Sequence, residues 1–201
     1  EVPIWGTAEP RAKVKVTCGD ATAEGSADAQ GRFTVTLPKM PAGGPHDVVI
    51  ASGGSKHVLK DVLVGEVWIC SGQSNMRWRV NKSMNAKEEI EAAAHPRIRL
   101  GFLKETRADV PQSDAPITWA ACNPETIGTF SAVGYFFGRH LHNELDGVPI
   151  GLLMTSWGGT PVEAWTSKAA LKGDPVISRW DRMKADNARA WKKRLDDWTA
   201  K

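Results

Sequence analysis

The chain has 201 residues, 41% hydrophobic and 24% charged, with a net charge of +3. This is a globular balance, enough for one medium domain or for one small domain plus part of another. No apolar run approaches the ~20 residues that span a bilayer, and Glu1-Val2-Pro3-Ile4-Trp5 lacks the charged and apolar regions of a signal peptide.

Residues 1–60 read as all-β. Period-two alternation places strands at 13–17 and 32–37, with further strands at 47–51 and 56–60. Turn chemistry separates them at Gly19-Asp20, Gln30-Gly31, 41–45 and 52–55. Short strands at this spacing predict a small β-sandwich. The chain begins inside a strand at Ile4-Trp5-Gly6-Thr7, so the sandwich is expected to lack its first strand.

From residue 61 the pattern changes. The apolar run Val67 to Cys70 predicts a buried strand ending at the turn signal Ser71-Gly72. A helix is predicted over 86–95, with Asn85 as N-cap, Glu88 completing a capping box, and Pro96 ending it after His95. Residues 97–102 alternate as a strand, and 104–128, with Pro111, Pro116 and Pro124, read as loop. A helix over 130–146 carries an apolar stripe of Val133, Phe137, Leu141 and Leu145. Gly134 and Gly138, also four apart, let it approach a sheet closely, and Gly147 stops it. A buried strand follows at 149–154. Alternating strands and helices predict a parallel α/β sheet with crossover helices over 61–173.

Residues 174–201 predict a helix with Ile177, Trp180, Trp191, Leu195 and Trp198 near helical spacing, an insertion or docking arm that needs a surface to pack on. Residues 168–201 hold 10 Lys/Arg against 5 Asp/Glu. The two signs interleave as on a solvated helix face, which argues against nucleic acid as a partner.

Two loops carry candidate chemistry, each after a predicted strand. A serine held just past a buried strand shows its hydroxyl to solvent, which suits a nucleophile. Ser74, in Gly72-Gln73-Ser74-Asn75-Met76, has that place, though the second glycine of the G-x-S-x-G elbow is absent. The bland reading is a turn or cap serine. The second loop runs from Thr155 to Glu163. Thr160 and Glu163 have capping-box spacing with Pro161 at the first helical position, so a helix is expected from Pro161. Gly158-Gly159 then stands at its positive end, where bare backbone N–H groups suit an oxyanion hole. The alternatives are a plain turn, or Ser156 as nucleophile. Cys18, Cys70 and Cys122 have no metal-ligand spacing; Cys70 reads as core, and nothing supports a Cys18–Cys122 disulfide. Nine tryptophans include possible sugar-stacking faces, but packing explains most of them as well.

Several blocks together resemble the sialate O-acetylesterase family, a branch of the SGNH hydrolase superfamily. They are Gly65 to Trp68 running into Cys70-Ser71-Gly72-Gln73-Ser74-Asn75-Met76, Thr129 to Phe137, Gly147 to Gly151, and Thr155 to Trp165. The resemblance covers most of residues 1–170. It implies a flavodoxin-like three-layer α/β/α domain after the small all-β sandwich, and a serine esterase without metal or other cofactor. Such enzymes remove O-acetyl groups from sialic acids or xylan-type glycans and work in a secreted or periplasmic setting. Ser74 is then the nucleophile, and its own N–H with the Gly158-Gly159 loop forms the oxyanion hole. Gln73, Asn75 and Trp157 shape the site.

The chain departs from the family pattern in lacking the Gln-Gly-Glu block and the Asp-x-x-His block. None of His46, His57, His95, His140 and His142 follows an aspartate by three, and each reads as structural or solvated. The catalytic Asp and His are therefore expected outside these residues, on the rest of a longer protein or on a second chain. The competing readings are a non-catalytic carbohydrate-binding protein, a degenerate esterase homologue, or an assembly role for 174–201.

Overall fold

Alternation of apolar and polar side chains builds the first six strands: β1 (Val2–Thr7), β2 (Lys13–Cys18), β3 (Ala21–Ser26), β4 (Arg32–Leu37), β5 (Gly43–Ser52) and β6 (Ser55–Val64). The computed structural model describes residues 1–106, 108, 110–167, 169–173 and 175–199, with the backbone alone at 176–178 and 180. β1 pairs with β4, and the other four strands form an antiparallel sheet in the order β3-β2-β5-β6. Inward residues of both sheets, among them Val14, Val16, Phe33, Val35, Leu37 and Val48, close one core.

The chain does begin in a strand. β3 was not anticipated. Its Ala-Thr-Ala-Glu-Gly-Ser sequence has little strand propensity, and pairing with β2 along its whole length holds it. The expected turn at 41–45 is shorter, because Gly43, Gly44 and Pro45 already belong to β5.

The second sheet contains β7 (Glu66–Cys70), β8 (His95–Leu103), β9 (Ile117–Cys122) and β10 (Ile150–Met154), in the order β7-β10-β8-β9. β7, β10 and β8 are parallel, whereas β9 runs antiparallel to β8. Three helices accompany the sheet: α1 (Ala86–Glu91), α2 (Pro124–Ile127) and α3 (Ala132–Glu144). One face carries a core of Cys70, Ile98, Leu100, Phe130, Tyr135, Ile150 and Leu152. Arg99 of β8 donates two hydrogen bonds to Asp61 of β6, at 2.6 and 2.8 Å, and so ties this sheet to the first one.

Several expectations are corrected here. The strand at 66–70 is buried only at Cys70; Val67 and Ile69 are 65% and 68% exposed. β7 has a single strand neighbour, and these side chains lie on the face opposite the core. The helix at 86–95 is one short turn and a half. Asn85 adopts a left-handed conformation, its side chain makes no cap bond, and His95 and Pro96 open β8 instead of closing a helix. The loop at 104–128 contains β9 and α2, the latter capped reciprocally by Asn123 and Thr126. All three cysteines are buried and free, with Cys18 and Cys122 in separate cores.

The close approach predicted for α3 is present. A Cβ on Gly134 would stand 2.8 Å from Cys70 Sγ, and one on Gly138 would stand 2.6 Å from Leu152 Cδ1. The apolar stripe is a different matter. Val133, Phe137 and Leu145 are 49%, 41% and 39% exposed and Leu141 packs partly buried on the core, while Ala132, Gly134, Tyr135 and Gly138 are buried. The helix seats on its small residues, and the stripe lies one residue, about 100°, around it. Phe137 still finds use at the sheet edge, edge-on to Trp68 at 5.0 Å. Gly147, at φ 79°, closes the helix by donating its N–H to the His142 carbonyl.

The chain divides into two compact units, Glu1–Trp157 and Gly158–Lys201. The second holds a 3-10 turn, Val162–Trp165, and α4 (Pro175–Thr199). Trp191, Leu195 and Trp198 are exposed on α4; the side chains of Ile177 and Trp180 lie outside the described residues. Among the described residues no helix is long and apolar enough to cross a membrane.

Candidate active site

Ser74 sits on an exposed turn directly after β7, at the C-terminal end of a parallel strand. Crevices at that end are where open α/β sheets bind ligands. The loop is fastened on both sides. At its start, Cys70 O accepts from Thr155 N–H at 3.1 Å, and Gly72 O accepts from Trp157 N–H at 2.9 Å. These two bonds extend the β7–β10 pairing past the strand ends, so the Ser74 loop and the loop after β10 share a register.

At its far end, Trp78 O accepts from Ala132 N–H at 2.7 Å, and Val80 N–H donates to Phe130 O at 3.1 Å. Val80 is fully buried, and Met76 packs on the core. Arg77 pairs with Glu105, which links the loop to the segment after β8. Within the turn, Arg77 N–H donates to Gln73 O at 3.1 Å, and Ser74 N–H donates to Gln73 Oε1 at 2.8 Å. The donor expected to serve an oxyanion is therefore held by its neighbour's side chain. Asn75, also exposed, contributes its carbonyl to Trp78 N–H at 3.2 Å.

Ser131 was not singled out from sequence, yet it organises this loop. It is fully buried, caps α3 by accepting from Gly134 N–H at 3.0 Å, and places its Oγ 3.5 Å from Met76 Sδ. A serine just ahead of a helical stretch is an N-cap signal that would have found it. Ser156, the other candidate nucleophile, is 7% exposed, with its Oγ buried and, among the described residues, without a hydrogen-bond partner. Of the two serines only Ser74 faces solvent.

Gly158 and Gly159 open the second unit. Gly159 has φ 75°, and a Cβ there would meet nothing within 4 Å. The expected capping box does not form. Pro161 precedes a four-residue 3-10 turn and makes no side-chain cap bond, while Thr160 Oγ1 accepts from Trp165 Nε1 at 2.8 Å. Two side chains engaged with each other leave no cap, and so short a turn has no helix dipole to speak of. Any oxyanion role for Gly158 and Gly159 rests on bare N–H groups alone.

The histidines are spread over both sheets and α3, where His140 is exposed. His46 and His57 lie in β5 and β6. His142 Nδ1 lies 2.7 Å from Val148 O. His95 packs at 6.2 Å from the Tyr135 ring, and burial, then the charges of Arg139 and His142, hold its imidazole below the ordinary value. Burial pushes the Cys122 thiol up to about 11.

A family model described as a carbohydrate esterase, sialic acid-specific acetylesterase, matches residues 64–195. The chain is 37% identical over 191 residues to the sialate O-acetylesterase of Pongo abelii and 37% identical over 188 residues to that of Homo sapiens, covering 84% of this chain in both. It is 35% identical over 197 residues to the Rattus norvegicus protein, covering 89% of this chain. The chain spans 36% of the length of each of these relatives. Among solved structures, a carbohydrate acetylesterase from Xanthomonas citri matches with a TM-score of 0.81 at 35% identity, covering 86% of this chain and 40% of that one.

Proposed function

Since the chain belongs to the carbohydrate esterase family of sialic acid-specific acetylesterases, with an SGNH-type α/β fold, we propose that it bears the nucleophile of an enzyme that removes O-acetyl groups from carbohydrates. The observation that carries the reading is the Ser74 turn, exposed at a parallel strand's end and fastened on both sides.

Ser74 Oγ attacks the acetyl carbonyl carbon, and its proton passes to a histidine held by an aspartate, supplied by the rest of a longer protein or by a second chain. The carbonyl oxygen takes the negative charge and is met by Ser74 N–H, a donor worth about 2.7–4 kcal/mol in the transition state. Gln73 Oε1 leaves Ser74 N–H as substrate arrives. Collapse breaks the bond to the sugar oxygen, which takes the proton from the histidine. Water, deprotonated by the same histidine, then cleaves the acetyl-serine to acetate. Asn75 and Trp157 shape the cleft around the sugar.

The substrates on this reading are O-acetylated sialic acids or xylan-type glycans, met outside the cytoplasm. On this reading the β-rich module expected over 1–60, which runs on to the end of β6 at Val64, is ancillary, and the esterase domain starts after it.

The test is Ser74→Ala in the full-length polypeptide, with acetate release from p-nitrophenyl acetate and from O-acetylated sialic acid as readouts. Activity is expected to fall at least ~10³-fold, and mass spectrometry of the quenched wild-type reaction is expected to find an acetyl group on Ser74. Undiminished turnover in the variant overturns the assignment.

A further inference from the structure

On the outer face of the sheet β3-β2-β5-β6, directly opposed residues form a row across all four strands: Glu24, Lys15, Ala51 and Lys56. Neighbouring strands lie ~4.8 Å apart, so Lys15 and Lys56 stand about 10 Å apart with only the Ala51 methyl between them. One row nearer the β5–β6 turn, Lys13 faces Ser26. Lys13 and Lys15 share a face at about 7 Å, being two residues apart in a strand. The turn itself is Gly53-Gly54, where an added Cβ would meet nothing within 4 Å. A small residue in mid-sheet and a turn without side chains leave a concave notch of about 610 Å³ with lysine walls.

The charge in the notch is unbalanced. Lys15 meets Glu24 at 3.4 Å, but among the described residues neither Lys13 nor Lys56 has a carboxylate within ion-pair distance. Three ammonium groups against one carboxylate make a local field that an anion relieves. The rest of the lining narrows the choice of anion. It offers the Ser26 hydroxyl on the lysine face and the bare backbone of the Gly53-Gly54 turn, and it contains no aromatic ring. Nucleic acid lacks a stacking platform there, and a membrane lacks an apolar anchor. A sugar ring that carries a carboxylate meets both kinds of group, and the family of this chain acts on carbohydrate.

We propose that this notch is a binding site for a carboxylated sugar of an acidic glycan, its carboxylate between Lys15 and Lys56 and a hydroxyl on Ser26. Lysines are point charges without the planar fork of arginine, so the site favours modest affinity and holds a polymer near the enzyme rather than selecting one linkage.

The experiment titrates the 201-residue chain with sialyllactose, with uncharged lactose and sodium acetate as controls, following backbone amide NMR signals. Sialyllactose is expected to shift Lys13, Lys15, Ala51 and Lys56, and high salt to weaken the effect. The double variant Lys15→Gln/Lys56→Gln is expected to bind at least about fivefold more weakly, with its other amide signals unmoved. Four results overturn the proposal: no shifts with sialyllactose, equal shifts with lactose or acetate, wild-type affinity in the double variant, or tighter binding of single-stranded DNA at the same residues. Ser74→Ala is expected to leave the binding intact, so a failed nucleophile assignment and a failed glycan site give different results.

Discussion

Gly138 shows how little room one atom has. Three Leu152 side-chain atoms would lie 2.6, 2.9 and 3.1 Å from a Cβ there, and Leu152 is fully buried. Gly138→Ala gains up to ~1 kcal/mol of helix propensity but must displace a core leucine, which costs ~1–3 kcal/mol. A net loss of about 1 kcal/mol is expected in urea denaturation, and a variant as stable as the parent contradicts the contact. The buried thiols give a second prediction at this scale. Burial raises the Cys70 pKa, and that of Cys122 to about 11, so little reactive thiolate forms at mildly alkaline pH. In the native chain neither cysteine is expected to react with a thiol reagent at about pH 8, and both are expected to react once the chain is unfolded.

At the scale of elements, α3 depends on its cap. Ser131→Ala removes the bond to Gly134 N–H and is expected to cost about 1 kcal/mol. In the full-length protein it is also expected to lower turnover, because Trp78 and Val80 fasten the Ser74 loop to Ala132 and Phe130 on either side of Ser131. β8 carries a pH dependence through His95. The folded imidazole titrates below the unfolded value of 6.5, so the unfolded chain takes up the proton first as pH falls. The stabilisation is complete above that value and is lost between it and the lower folded value. Unfolding free energy measured from about pH 7 down to 5 is expected to fall, and the fall is expected to be shallower in His95→Gln.

These elements were legible in the sequence to different degrees, for physical reasons. β2 and β4 alternate without interruption, and each buries every second residue. The Gly134 and Gly138 spacing announced a close approach correctly. β9 was hidden between Pro111, Pro116 and Pro124, which read as loop punctuation, although strand pairing with β8 needs only the six residues 117–122. The α3 stripe misled because glycines decided which face comes nearest the sheet. The Thr160 and Glu163 spacing was a capping box in letters only, since Trp165 captured the threonine. The Ser74 loop was legible because its motif is local. Its fastenings were not, because they join residues about 50 to 85 positions apart through backbone groups, which leave little trace in side-chain identity.

At the molecular scale, the second sheet has, among the described residues, one face covered by its core and one more open to solvent, which β6 borders through the Asp61–Arg99 pair. Val67, Ile69 and Trp119 lie on the open one, at 65%, 68% and 48% exposure, beside a strand with a single neighbour. Apolar surface of this kind drives association. The 201-residue chain is expected to bind a hydrophobic dye and to self-associate with rising concentration. Ile69→Lys is expected to reduce both while changing stability by less than about 0.5 kcal/mol; dye fluorescence and light scattering check it. The contact between Gly134 and Cys70 Sγ reaches further than packing. Cys70 ends the strand four residues before Ser74, so helix and strand touch there as two hard parts without a spacer. A methyl group at position 134 acts as a wedge, and the strand it moves carries the serine. A larger residue at position 134 is therefore expected to shift the Ser74 hydroxyl, a mechanical adjustment made from the helix side of the sheet.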